Sequence, residues 1–286
     1  GDMPSLRDIK RRITSVQSTQ KITRAMKMVS AAKLRRSQDA ILRARPYAYH
    51  LRDLVNNLTK RAERDAHPLL RQGEGKKIGL VVVTSDRGLC GGYNSNLVNQ
   101  TMEALRGQFR DNDVELTVIG RKGIEALKRR PCTIRKTYTN VFEGSALRSA
   151  GDIIHEIADE YAQGGTHGVY CLYNEFKSAI SQRVTLERLL PFEASDEPGE
   201  VAVDYLYEPS AESMLDHLLK HHLQMQMHRI LFEAAASEHG ARMTASDAAT
   251  NNARDMIDRL TLKHNRARQT TITTEMIDIV GGAEAL

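Results

Sequence analysis

LRDIKRRITSVQSTQKITRAMKMVSAAKLRR, residues 6–36, contains neither glycine nor proline, and its apolar residues recur at alternating spacings of three and four. The stripe runs Leu6, Ile9, Ile13, Val16, passes polar Gln20 and Thr23, and reaches Met26. That spacing keeps one face of a helix turned toward a second helix, as in the seam of a coiled coil. The polar interruptions make it looser than a zipper. Breakers stay away on both sides, with no Pro between Ser5 and Arg45 and no Gly between Asp2 and Gln72.

The other end of the chain matches it. Ser210 to Leu286 holds no Pro, and only Gly240 interrupts it before Gly281-Gly282. Its stripe includes Leu218, Met225, Phe232, Ala236, Met243, Ala253, Ile257, Leu260 and Ala267. Stretches so free of breakers and rich in Ala, Leu, Met, Lys and Arg read as very long helices. A helix of roughly 70 residues extends roughly 100 Å at about 1.5 Å per residue. No domain of this size encloses that length, so the two helices are expected to pack on each other as an antiparallel coiled coil and to reach a partner. Small residues, Ser30-Ala31-Ala32 and Ala234-Ala235-Ala236, suit close backbone approach.

Between the helices the pattern changes. Ile78–Thr84, Val114–Ile119, Thr133–Tyr138 and Gly168–Tyr173 read as strands. They alternate with helical patterns near Ser95–Arg110, Lys122–Arg129 and Ala146–Tyr161. Alternation of this kind, opened by a continuously apolar strand, predicts a mostly parallel sheet with helices on both faces. Ile180–Leu190 and Val201–Tyr207, linked by EASDEPGE (193–200), are expected to close it as an antiparallel edge. The expected fold is thus an α/β domain (76–208) inserted between an N-terminal helix (3–64) and a C-terminal helix (209–286) that form an antiparallel coiled coil.

The 286 residues suffice for a real core, and no apolar run reaches the length of a membrane span. No secretory or transit peptide is read at the start; Met3 is the more natural first residue, with Gly1-Asp2 expected to be a processing remnant. Three cysteines, Cys90, Cys132 and Cys171, without CxxC spacing, fit a reducing compartment and neither a disulfide scaffold nor a zinc site. Met3–Lys76 carries 18 Lys/Arg against 6 Asp/Glu, whereas the rest of the chain is acidic. A basic arm implies an acidic partner: nucleic acid, anionic lipid or protein.

The candidate chemistry begins with SDRGLCGGYN (85–94), directly after KKIGLVVVT. Gly88, Gly91 and Gly92 match neither GxxxxGK[ST] nor GxGxxG, so a phosphate cradle is weakly supported. Cys90 has no local base spaced to serve it as a nucleophile. A tight strand-to-helix turn explains the glycines but not the pairing of Asp86 with Arg87, which suits a loop gripped by another protein's polar groups. His217 and His221 share a helix face beside His222, but with no HExxH or clustered carboxylates they read as solvated or seam histidines rather than metal ligands. The basic residues Lys10, Arg11 and Arg12, with Lys21, Arg24, Lys27, Lys33, Arg35 and Arg36, exceed what solubility demands. An acidic protein is favoured over nucleic acid as their partner. At the C-terminus, Arg268, Gln269, Thr273, Glu275 and Asp278 form a polar collar before Gly281-Gly282-Ala283.

Four stretches together, SVQSTQKITRAMKMVSAAKLRR (15–36), SDRGLCGGYN (85–94), RMTASDAATNNARDMI (242–257) and RQTTITTEMIDIVGGA (268–283), resemble the gamma subunits of F-type ATP synthases over essentially the whole length. The resemblance implies a rotor without catalysis or cofactor of its own, a coiled coil entering a ring of three alpha and three beta subunits. It implies further partners in the epsilon subunit and the ring of c subunits, and a peripheral place on the cytoplasmic face of a bacterial cell (inner) membrane. By the same resemblance, Arg24, Met26 and Lys27 lie at beta's lever loop. Asp86, Arg87, Arg254, Arg268, Gln269, Thr273 and Glu275 lie at its catch loops. No counterpart of the plastid cysteine insert is present. The rival reading is a nucleotide-dependent α/β enzyme using the 85–94 loop.

Overall fold

A computed structural model describes residues 5–61, 67–142, 146–192 and 211–284. The expected strand at 201–207 and its link at 193–200 lie outside the described residues. The chain runs α1 (Leu6–Arg61), β1 (Lys77–Val83), α2 (Tyr93–Arg106), β2 (Asp113–Ile119), α3 (Arg121–Leu127), β3 (Thr133–Tyr138), α4 (Ala146–Ala162), β4 (Thr166–Ser178), β5 (Ser181–Leu190) and α5 (Ala211–Glu284). It divides into two compact units, Gly1–Ser30 with Arg242–Leu286, and Ala31–Ala241, so the division falls inside both long helices.

The first unit is a helix pair. On α1 the residues withdrawn from solvent include Leu6, Ile9, Ile13, Val16, Gln20, Thr23 and Met26, the stripe read from the sequence, with Lys27 and Ser30 continuing it. On α5 they include Ser246, Thr250, Ala253, Ile257, Leu260, His264 and Ala267. Thr23 bonds Thr250 at 2.8 Å, and Lys27 bonds Asp247 at 2.6 Å. Rising numbers on one helix meet falling numbers on the other, so the pair is antiparallel. Only small or polar side chains occupy several seam positions, which loosens the packing as the sequence implied.

The second unit is a five-stranded sheet of order β3-β2-β1-β4-β5. The first four strands are parallel, and β5 closes the edge antiparallel to β4. β1 is buried on both faces, which is why it reads as a continuous apolar run. Alternate residues Ile78, Leu80 and Val82 join Leu116 and Val118 under α2 and α3. Val81 and Val83 join Cys171 and Tyr173 on the opposite face, against Ile153, Ile154 and Ile157 of α4, Leu51 and Val55 of α1, and the start of α5. Both faces are therefore covered, and the expected α/β architecture stands.

Three details differ from the sequence reading. β4 runs on to Ser178, past the expected end at Tyr173, and Glu175 pairs with Arg183 of β5. In the second unit, α5 buries Leu215, Leu219, Leu223, Met227, Ile230, Leu231 and Ala234 in the sheet core, whereas Leu218 and Met225 lie at the margin of that face. The seam spacing thus holds along the helix pair of the first unit, and a wider face replaces it where α5 covers a sheet. Finally, Ala234–Ala236 admit the α/β layer: the Tyr93 hydroxyl donates to the Ala234 carbonyl at 3.2 Å. Pro46 lies inside α1.

Candidate functional site

The 85–94 loop starts where β1 ends. Thr84 donates its hydroxyl to the Ile119 carbonyl at 2.8 Å and accepts the Gly123 amide at 3.0 Å, joining β1 to the β2–α3 turn. Gly120, with φ +98, completes that turn; a Cβ there would sit 2.3 Å from the Thr84 carbonyl oxygen. Ser85 and Asn94 staple the loop: the Ser85 amide donates to Asn94 Oδ1 at 3.0 Å, and Asn94 Nδ2 donates to Ser85 Oγ at 2.8 Å. Ser85 Oγ donates on to the Arg87 carbonyl at 2.7 Å. Asn94 Nδ2 also reaches the Cys90 thiol at 3.3 Å, and Cys90 is buried, so its place is that of a packed small residue rather than an exposed nucleophile.

Asp86 has work inside the chain. Its Oδ1 accepts the Arg121 amide at the start of α3 at 3.0 Å, and its Oδ2 accepts the Asn140 amide at 2.9 Å. A carboxylate on the first amides of a helix satisfies donors that the helix cannot. Arg87 is exposed beside it. The sequence reading missed Leu89, which is 74% exposed and held at φ +61. A branched side chain in the left-handed region is strained, and strain of this kind gathers at functional loops. The only hint in the sequence is its place just before Cys90-Gly91-Gly92 in a turn dense with glycine.

The helix-pair unit carries the remaining candidates. Arg24 is exposed, Met26 is half-buried, and Lys27 is engaged with Asp247. Arg254, Arg268, Gln269, Thr273 and Glu275 are all exposed on α5. Past Ala267 the helix turns no face inward, and Ile272, Met276, Ile277, Ile279 and Val280 stand in solvent. Ile22, Met28 and Val29 do the same on α1. Exposed apolar residues at this density mark a surface that seats against something.

The histidines have structural surroundings. His221 bonds the Tyr47 hydroxyl at 2.6 Å and stacks on His217, while His222 packs edge-on against Phe192. Among the described residues no three His, Cys, Asp or Glu side chains gather as metal ligands would, and no helix is long and apolar enough to cross a membrane.

Comparison with known proteins places this architecture. Among solved structures, a chain of the central stalk/c-ring structure of the Tetrahymena thermophila mitochondrial ATP synthase matches with a TM-score of 0.61 and 27% identity, over 80% of this chain and 99% of that one. A chain of the Euglena gracilis mitochondrial ATP synthase shares the fold, with a TM-score of 0.70 at 19% identity over 98% of this chain and 94% of that one. The fold is thus that of a central-stalk protein. The ATP synthase family profile matches residues 5–286. The ATP synthase gamma chain of Anaeromyxobacter sp. (strain Fw109-5) is 50% identical, covering 99% of this chain and 100% of its own length. That of Geobacter sp. (strain M21) is 47% identical, over 99% of each. The chain belongs to the ATP synthase gamma chain family, and is a non-catalytic subunit of that complex. The rival reading, a nucleotide-dependent enzyme at the 85–94 loop, finds no support, since the relatives match from end to end and the loop's Ser85, Cys90 and Asn94 bond one another.

Proposed function

We propose that this chain is the rotor of a bacterial ATP synthase, turned by ion flow through a ring of c subunits and driving the catalytic beta subunits through their conformations in sequence. The observation that carries the reading is the match to bacterial gamma chains over the full length at about half identity. Physical form supports it. A pair of helices has no three-fold symmetry, so three identical partners around it meet three different surfaces.

The contacts are proposed on the same footing. Arg24, Met26 and Lys27 face beta's lever loop, where the basic surplus of α1 suits an acidic partner. Arg87, Arg254, Arg268, Gln269, Thr273 and Glu275 are exposed polar groups suited to beta's catch loops. Asp86 supports that contact indirectly, by fixing the loop from which Arg87 and Leu89 project. The alpha and beta hexamer, the epsilon subunit and the c-ring are the proposed partners, on the cytoplasmic face of the inner membrane. The test is co-purification with alpha and beta subunits, then ATPase assay with and without this chain. Stable incorporation with a large rise in hydrolysis is expected; a hexamer whose activity ignores the chain would overturn the proposal.

A further inference from the structure

Between Arg229 and Gly240, α5 meets the β4–β5 hairpin through directional contacts as well as apolar burial. The Arg229 guanidinium donates through Nη2 to both oxygens of Glu187, at 2.6 and 2.7 Å, and through Nη1 to the Tyr173 hydroxyl at 3.1 Å. The Tyr173 hydroxyl donates in turn to Glu187 at 2.8 Å, and its ring lies under the guanidinium. Glu233, one turn along α5, accepts a further Nη1 bond at 3.0 Å. Two turns beyond Arg229, Ser237 donates to the Asn174 carbonyl at 3.0 Å. At Gly240 the helix lies so near the hairpin that a Cβ would stand 2.9 Å from the Ala179 carbonyl oxygen.

A shielded ion pair of this kind adds little net stability, because desolvating both charges offsets their attraction. What the planar guanidinium adds is geometry, because its two Nη atoms hold different partners at once, Nη2 on Glu187 and Nη1 on Tyr173 and Glu233. The apolar line of Leu219, Leu223, Met227 and Leu231 holds α5 against the sheet, but burial is non-directional and opposes sliding or rolling only weakly. The two cross-contacts, to Glu187 of β5 and Tyr173 of β4, are directional and so favour one register of α5 along the hairpin and one rotation about its own axis. α5 is a single helix to Glu284.

We infer that Arg229 and Glu187, seated on Tyr173, key α5 to the β4–β5 hairpin: they are positioning residues that stop the helix from rolling when torque passes through the α/β unit. The inference rests on the rotor reading above. Unlike a structural prop, such a key matters most under load.

The test uses complete ATP synthase in sealed vesicles, carrying either the unaltered chain or Arg229→Met/Glu187→Leu, which replaces the pair by apolar groups of similar reach. Subunit content, ATP hydrolysis and ions pumped per ATP are measured with and without an opposing ion gradient. Normal subunit content, near-normal hydrolysis and a pumping ratio lowered about twofold or more against the gradient are expected. An assembled double variant that pumps at the unaltered ratio under load overturns the inference. Arg229→Lys keeps the charge but has one nitrogen in place of the two that hold Glu187 and Tyr173, and decides the matter if the double variant does not assemble. Its ratio under load is expected to fall below that of the unaltered chain, and full coupling would again overturn the inference. Failure of the unaltered chain to couple at all would instead strike at the rotor reading, so the two are separable.

Discussion

The Lys27 ammonium lies 2.6 Å from Oδ1 of Asp247, one turn from the Thr23–Thr250 hydroxyl pair, so the central cation of the basic patch is tied across the seam. Both side chains remain nearly half exposed, at 44% and 45%. A Lys27→Ala/Asp247→Ala double-mutant cycle, read by urea denaturation, should give a coupling below about 1 kcal/mol that shrinks as salt is added. A coupling of several kcal/mol, insensitive to salt, would contradict this geometry.

Asp86 is expected to matter in the isolated chain, with no partner present. Asp86→Ala removes an acceptor from the amides of Arg121 and Asn140, and should lower stability by about 1–2 kcal/mol. Hydrogen exchange should accelerate at those two amides while β1 stays protected. Unchanged exchange at Arg121 and Asn140 would show that the carboxylate does not hold the loop.

Gly120 and Gly164 both have positive φ, but only Gly120 is hemmed in. Gly164→Ala should lose about 1–2 kcal/mol, the backbone term alone. Gly120→Ala adds a collision with Thr84 and should lose about 3 kcal/mol or more. Thermal or urea unfolding of the two variants side by side isolates the steric part; equal losses would refute the close approach.

His222 makes stability depend on pH. Burial first, then the charges of Arg229 and Arg52, push its pKa from 6.5 down to about 4, against a smaller opposing pull from Glu187. Because the folded state binds the proton less readily than the unfolded chain, this contribution is complete above pH about 6.5. It is lost progressively as pH falls toward 4, about 3 kcal/mol in all. His222→Gln should flatten that part of the stability profile. Carboxylates such as Glu156, held low by Lys136, and Glu175, held low by Lys177, lose their share only in stronger acid. A His222→Gln chain as acid-sensitive as its parent between pH 6.5 and 4 would rule the assignment out.

The sheet and the α1 seam were legible because each follows one period: every second residue of β1 faces one core, and Leu6 to Thr23 follow the three–four spacing. The upper stripe of α5 was not, because periodicity says which residues turn inward and not what they turn toward. Leu218 and Met225 keep the coiled-coil spacing, yet the helix there covers a sheet, and a wider face is drawn in. The 85–94 loop was legible as a turn, but the role of Asp86 was hidden, since its amide partners lie 35 and 54 residues further on. The Arg229–Glu187 pair was hidden for the same reason. Such pairings depend on strand order, which no local pattern encodes.

Pro46 divides mechanical duty between the two long helices. Lacking an amide hydrogen, it leaves the Leu42 carbonyl without its ladder bond, whereas α5 runs 74 residues with no proline at all. Twisted about their long axes, the two helices are therefore unequal springs. Under torsion, α1 carries a missing rung near residues 42–46 that α5 does not share.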